Sequence, residues 1–293
     1  MRSIETVRSH LGLCKATLSM FAALSAATGF LLAGVSKGTV LPALIFGVFL
    51  MACGASALNQ YQERKTDSGM PRTAGRPIPA GKIEPRAALR FSWALIGSGA
   101  VMLLFSFGWR APMLGLACVL WYNGIYTRLK AHHAFAAIPG ALVGAIPPAI
   151  GWTAGGGSLS DFRLAAICFF FFMWQVHHFL IHQKAFGSEY QAIHFPSLTA
   201  VFTPPQLERL TLQWLLGAAA SLQLVILYGL IRSSLVQLLV LAASLGFAAC
   251  EIAFIRREGS GDPGIFMSTN YFMLTVILLI LADRLPCFAG WAG

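Results

Sequence analysis

The chain has 293 residues, 57% of them hydrophobic and only 11% charged, with a mean hydropathy of +0.69 and a net charge of +10. Roughly twice that charged fraction is usual in a water-soluble domain, so a soluble globular fold is excluded. The basic residues lie between apolar blocks, with no run of five and no RNA- or DNA-binding signature, which excludes a nucleic-acid partner.

In chain order, apolar blocks of about 18–20 residues are long enough to cross a hydrocarbon core of about 30 Å. They predict membrane spans at 16–34, 39–58, 88–107, 112–127, 134–152, 164–182, 210–231, 235–254 and 266–283. Connections are brief except for 59–87 and 183–209. The expected fold is all-α, a polytopic membrane bundle of about nine transmembrane helices in a single domain over residues 1–293. In the fifth span, the stretch PGALVGAIPP (Pro139–Pro148) would weaken a helix in water. A membrane tolerates it where neighbours or a cavity satisfy the freed backbone groups, so a packing kink and a cavity wall both fit. Gly155–Gly157 reads as a flexible turn on the outer side.

Orientation follows from the side on which Lys and Arg accumulate. With the N-terminus inside, only Lys37, Arg110, Arg163, Arg232 and Arg284 fall outside, leaving sixteen of the 21 basic residues on the cytoplasmic side. The N-terminus is therefore expected in the cytoplasm and the C-terminus outside. The opening MRSIETVRSHLGLCK has neither the features of a cleavable signal peptide nor those of a long transit peptide, which favours a bacterial inner membrane. The six cysteines, Cys14, Cys53, Cys118, Cys168, Cys250 and Cys287, form no CxxC pair and mostly lie within apolar blocks. They read as reduced packing residues rather than a zinc site or a disulfide framework.

The strongest chemical signal follows the second span: Asn59-x3-Glu63-x3-Asp67, then Met70, Arg72, Thr73, Arg76 and Pro77. If the helix continues past the membrane edge, spacings of four put the three oxygen-bearing side chains on one face, about 6 Å apart per step. Such a row suits Mg²⁺, which binds through one or two carboxylates, waters and phosphate oxygens. Arg72 and Arg76 supply fork-shaped donors suited to phosphate. The alternative, a solvated loop that only enforces topology, explains the arginines and leaves the Asn/Glu/Asp row unexplained.

The run NQYQERKTDSGMPRTAGRPIPAGKI resembles the first aspartate-rich motif of the UbiA superfamily of intramembrane prenyltransferases, with Glu63 where an Asp is frequent. Its M-x-R-T-x-x-R-P continuation is most like the protohaem IX farnesyltransferase branch. Tyr126-Thr127-Arg128-Leu129-Lys130, leading into PGALVGAIPPAIGW, resembles that branch's Y-T-x-x-K-R segment and the helix after it. Ala131 stands where the family has Arg, and His132 and His133 follow. Tyr126 also fits a plain interfacial anchor. A third stretch, Trp174-Gln175-Val176-His177-His178-Phe179 with Glu189-Tyr190 later, resembles the W-Q-x-P-H-F and D-Y segments of the haem-modifying branch. Here His177 replaces a Pro, Glu189 an Asp, and Ser188 precedes it where a second acid is common.

On a helix Gln175, His178 and His182 form one polar stripe in an apolar span, and imidazoles inside a membrane default to a functional reading. For His178 a haem ligand, a propionate contact, a proton-handling group and an interhelical hydrogen bond all remain open. The Phe-rich run Phe169–Phe172 fits either a prenyl channel or lipid-facing surface.

The resemblance implies a central cavity open to the cytoplasm and to lipid. It implies transfer of the farnesyl group of farnesyl diphosphate to a vinyl group of protohaem IX, giving haem O. It also implies Mg²⁺ on Asn59, Glu63 and Asp67, with Glu189 at a second site. Asn59, Glu63, Asp67, Tyr126 and Lys130 would carry the catalysis; Arg72, Arg76 and Lys130 would bind the diphosphate; Trp174, Gln175, His178, Glu189 and Tyr190 would bind substrate. A haem A synthase or an oxidase-assembly partner is the further expectation. Two other functions stay in play: prenyl transfer to a quinone precursor or chlorin, and non-catalytic haem binding or transport.

Overall fold

The computed structural model describes residues 2–34, 38–258 and 263–284, all of it helix and connecting turns. Lys37 and Cys287 lie outside the described residues, as do the side chains of Arg2, Arg256 and Arg257.

The chain opens with α1 (Arg2–Cys14) and α2 (Ala16–Leu32), bent by 48° at Lys15. Lys15 adopts φ +44, a left-handed conformation unusual for a side-chain-bearing residue, and this makes the bend. After α3 (Leu41–Asp67) and the single turn α4 (Pro71–Ala74) comes α5 (Pro85–Phe107). Next are α6 (Arg110–Val119), a π-helical stretch over Leu120–Tyr126 and the short turn α7 (Thr127–Leu129). Then follow α8 (Ala137–Ala154), α9 (Phe162–Ala192), the turn α10 (Leu198–Val201), α11 (Pro204–Leu227), α12 (Ser234–Glu258) and α13 (Pro263–Ala282).

Among the described residues seven helices are long and apolar enough to cross a membrane, or eight if the bent α1–α2 pair is one span. The expected count of nine is not confirmed. The span expected at 112–127 falls in α6 and the π-helical turns, so no single regular helix of that length stands there. The loop expected at 183–209 is also shorter than the apolar pattern implied. Helix α9 runs on to Ala192, and the chain turns away at His194, whose φ is +61, two residues before Pro196. Hydropathy marks where a helix leaves the apolar layer, whereas the backbone hydrogen bonds stop only where a turn or proline stops them.

Two apolar clusters form the halves of the bundle. One joins α2, α3, α5 and α6 through residues such as Phe30, Val48, Met51, Ile96 and Leu103. The other joins α9, α11, α12 and α13 through Ile167, Phe170, Leu215, Val240 and Val276. Helix α8 lies against both α2 and α9, and α13 returns to touch α2, closing a ring. In lipid, apolar surface gives little drive for helix association, so close backbone approach matters more. At the α2–α8 crossing, a Cβ on Gly151 would strike the Ala26 carbonyl, and one on Gly29 the Pro148 carbonyl. Only glycine fits there. The ring encloses a central cavity, and Gly140, Val143, Gly144 and Pro147 of the proline-rich stretch, with Ile150 just after it, form one wall of it.

Candidate active site

The central cavity measures about 760 Å³ and draws its lining from α2, α3, the π-helical stretch, α8, α9 and α13. Its charged residues gather at one end: cationic Lys15, Arg72, Arg76 and Lys130, against acidic Glu63 and Asp67. The rest is largely apolar and aromatic, with Phe21, Met51, Val119, Phe171 and Met273 among the lining.

Asn59, Glu63 and Asp67 all sit on α3 and all line the cavity. Each has a distinct partner. Asn59 donates from Nδ2 to Thr127 Oγ1 at 3.1 Å, and its Oδ1 accepts from Lys15 Nζ at 3.4 Å. Glu63 is ion-paired with Lys130. Asp67 takes Arg76 Nη1 on both carboxylate oxygens, at 2.8 and 2.7 Å. Charge-assisted bonds of this kind are the strong ones, and they hold the loop after α3 against the helix that precedes it. Burial works against the Lys130 ammonium, but Glu63 and the nearby tyrosines more than offset it, so its pKa lies above the ordinary lysine value.

The donor chemistry fits a divalent ion. The buried Oε1 of Glu63 takes only its ion pair and no hydrogen bond, and the neighbouring Gln60 Oε1 is buried without a partner. Hard oxygens with spare lone pairs beside cationic side chains suit Mg²⁺. Among the described residues no three His, Cys, Asp or Glu side chains converge on one point. Two carboxylates and an amide oxygen therefore leave most of the coordination shell to water and phosphate, which is the usual Mg²⁺ arrangement.

Glu189 stands apart from this row. It does not line the cavity, and its Oε2 lies 3.8 Å from Arg72 Nε. Arg72 also stacks over the Phe186 ring, its guanidinium carbon 4.7 Å from the centroid. Tyr190, one residue on, does line the cavity.

The π-helical turns present Tyr122 and Tyr126 side by side, rings 6.0 Å apart, and Tyr126 stacks on Phe179 of α9 at 5.7 Å. Such turns shift register within a helix and often occur at functional sites. This one is pinned by polar bonds: Asn123 Nδ2 donates to the Ala55 carbonyl, and Gln62 Nε2 donates to the Asn123 carbonyl. Gly140 leaves room for the Tyr126 ring, and Gly144 for Gln175.

On α9, Trp174, Gln175, His178 and His182 line the cavity. His178 stacks on Trp174 with centroids 5.1 Å apart and meets Phe266 at 4.8 Å. Among the described residues its buried Nδ1 has no hydrogen-bond partner, so they do not make the interhelical hydrogen bond considered for it. That bond belongs to His177, the next residue, which does not line the cavity. Its Nε2 meets Glu251 Oε2 at 3.0 Å and Nδ1 meets the Thr211 carbonyl at 3.2 Å.

Sequence reasoning passed over Lys15, Gln60, Tyr122 and Glu251. Lys15 counted only as a topology charge, and its place in the cavity depends on the bend between α1 and α2. Gln60 reaches across to the carbonyls of Gly12 and Leu13, at 3.0 and 3.1 Å. Glu251 carried a usable signal, because a carboxylate inside a predicted span needs a partner.

Residues 19–277 match the model of the UbiA prenyltransferase family. The chain belongs to that family. The UbiA fold is also that of a UbiA homologue from Archaeoglobus fulgidus bound to GPP and Mg²⁺, with a TM-score of 0.73 at 15% identity, covering 94% of this chain and 99% of that one. Among the UbiA relatives, a protein from Oleidesulfovibrio alaskensis named protoheme IX farnesyltransferase is 31% identical over 279 residues, 95% of this chain and 97% of its own. One of the same name from Opitutus terrae is 33% identical over 284 residues, covering 94% of each chain.

Proposed function

We propose that this UbiA-family enzyme transfers the farnesyl group of farnesyl diphosphate to a vinyl group of protohaem IX, giving haem O. One observation carries the reading: a single cavity joins a cationic mouth holding two carboxylates to a wall of Trp174, His178 and aromatic side chains. The names and coverage of the bacterial relatives support it.

The diphosphate would sit among Lys15, Arg72, Arg76 and Lys130. Asn59, Glu63 and Asp67 would hold Mg²⁺, which when bound supplies Lewis-acid stabilisation of the departing diphosphate. The farnesyl C1–O bond breaks with its electron pair going to the phosphate oxygen, and fixed cations in a water-poor site favour that charge. The faces of Tyr122 and Tyr126 are suited to the allylic cation left behind. The vinyl π-pair of the acceptor forms the new C–C bond at C1. Water adds to the resulting cation as hydroxyl and gives its proton to the released diphosphate. Trp174, Gln175, His178 and Tyr190 would hold the acceptor, with the unpartnered Nδ1 of His178 offered to it. Glu189 would act through Arg72, with any second Mg²⁺ site resting on it.

The chain would work as one domain in a bacterial inner membrane, its N-terminus and cationic mouth facing the cytoplasm, where soluble diphosphates are made. An enzyme that oxidises the product, such as a haem A synthase, is the partner this chemistry calls for. The test is expression in a bacterial strain that lacks haem O, followed by mass spectrometry of extracted pigments. A gain of one farnesyl group and one hydroxyl group on haem is expected, and its loss on chelation of divalent ions. Prenylation of 4-hydroxybenzoate instead of haem would overturn the acceptor. Haem binding with no covalent product would favour a transport role.

A further inference from the structure

Behind the α9 wall lies a polar cluster that the chemistry above does not use. His177 and Glu251 are both wholly buried, in the apolar half of the bundle, and bonded to each other. The Thr211 carbonyl on α11 can only accept, so His177 carries its hydrogen on Nδ1. Its Nε2 then bonds Glu251 on α12 with one further hydrogen held between them. The other carboxylate oxygen, Oε1, meets two hydroxyls of α13: Ser268 at 2.9 Å and Thr269 at 2.7 Å. The Thr269 backbone carbonyl, in turn, accepts the indole Nε1–H of Trp174 at 3.1 Å. Trp174 is the cavity residue on which His178 stacks, and Phe266, whose ring also meets His178 at 4.8 Å, belongs to the same α13.

From this chain of contacts we infer that His177 and Glu251 are positioning residues for the acceptor-binding wall. They tie α11, α12 and α13 to α9 and so set the orientation of Trp174 and His178. The pair touches no substrate. A buried charged or polar group with a missing partner is costly, so the two residues act as a unit. The wall is thus built from its rear face, at a point where α13 carries both the indole acceptor and the ring that flanks His178. Nothing in the cluster reaches the cationic mouth, so the diphosphate half of the site is independent of it. The link to an acceptor rests on the proposed function; the link to Trp174 does not.

Glu251→Leu takes the carboxylate from the Ser268 and Thr269 hydroxyls, leaving them only the Ile265 carbonyl at 2.8 and 2.9 Å, and orphans His177 Nε2. Glu251→Gln keeps both bonds, because its amide donates to His177 Nε2 and its oxygen accepts from the hydroxyls. The purified full-length protein, ¹⁵N-labelled at tryptophan, gives an indole N–H resonance for Trp174, assigned by its absence in Trp174→Phe. Glu251→Leu is expected to move that resonance, and Glu251→Gln to leave it in place. In turnover assays, Glu251→Leu should raise KM for protohaem about tenfold, with KM for farnesyl diphosphate unchanged. An unmoved indole resonance in Glu251→Leu overturns the inference. So does a rise in both KM values together, the mark of general loosening. If Glu251→Leu does not fold, Thr269→Val, which removes one hydroxyl of the cluster, takes its place and should move the same resonance. If the wild type does not prenylate protohaem yet the resonance moves as described, the proposed acceptor fails and the positioning role stands.

Discussion

The two ends of the cavity hold polar groups in opposite ways. At the mouth the principal charges are already matched: Glu63 with Lys130, Asp67 with Arg76, Asn59 with Lys15 and Thr127. At the α9 wall the central polar atom, His178 Nδ1, has no hydrogen-bond partner among the described residues. A mouth that must take a highly charged ligand keeps its groups paired until the ligand arrives, since an isolated buried charge is expensive. A wall that takes a broad, mostly apolar ligand can leave one neutral nitrogen waiting. The difference teaches that, on the proposed function, the mouth would bind by exchange of partners and the wall by filling a gap.

Substitutions at the two ends should separate along this line. The largest effect is expected from Asp67→Asn, which takes a carboxylate from the proposed metal site and a charged oxygen from the Arg76 pair. Removing one stabilising group of this kind commonly costs about 10²–10³ in kcat, and product formation followed by mass spectrometry should fall by that range. Turnover within threefold of wild type would break the assignment of the mouth.

Next comes Lys130→Met, which removes a cation from the proposed diphosphate site and leaves Glu63 without its ion pair. A loss of about 10²-fold in kcat/KM for farnesyl diphosphate is expected, with Lys130→Arg recovering part of it. The raised pKa of Lys130 adds a sign. Its ion pair stabilises the fold fully below the ordinary lysine range, about pH 10, and that contribution fades only as pH climbs through the higher folded value. Thermal unfolding in detergent at pH 6 to 9 should therefore show no change attributable to this pair.

At the other end His178→Ala is expected to weaken protohaem binding about tenfold and leave farnesyl diphosphate binding alone. Haem titration followed by its visible absorption reads the first, and inhibition by inorganic diphosphate reads the second. An equal loss of both would erase the distinction between the ends. The smallest effect on chemistry should come from Gly151→Ala, whose new methyl meets the Ala26 carbonyl. Overpacking costs about 1–3 kcal/mol, so a lower unfolding temperature with little change in KM for either substrate is the expected outcome.

Much of this was legible before any coordinates. The apolar blocks gave the helices that meet the length of a membrane because a bilayer imposes that length on sequence. The i, i+4 row of Asn59, Glu63 and Asp67 declared one helical face because an α-helix repeats every 3.6 residues. Other features left no such mark. The span at 112–127 contains π-helical turns held by Asn123 and Gln62, partners 61 residues apart in the chain, and hydropathy does not record register. Lys15 enters the cavity only because the chain bends there through a positive φ, and the bend itself follows from α1 docking through Gln60. Glu189 sat in a motif beside Tyr190, yet one faces Arg72 and the other lines the cavity.

By itself, then, the sequence determined the membrane, the helices and the order of the chemical motifs, because length, polarity and periodicity are local properties of a chain. Only the tertiary structure decided which motif residues meet. It paired the acidic row with Lys130 and Arg76, gave the interhelical bond to His177 rather than His178, and set Glu251 behind the wall. Those outcomes depend on how whole helices rotate and approach one another, and that is settled by packing between segments far apart in sequence.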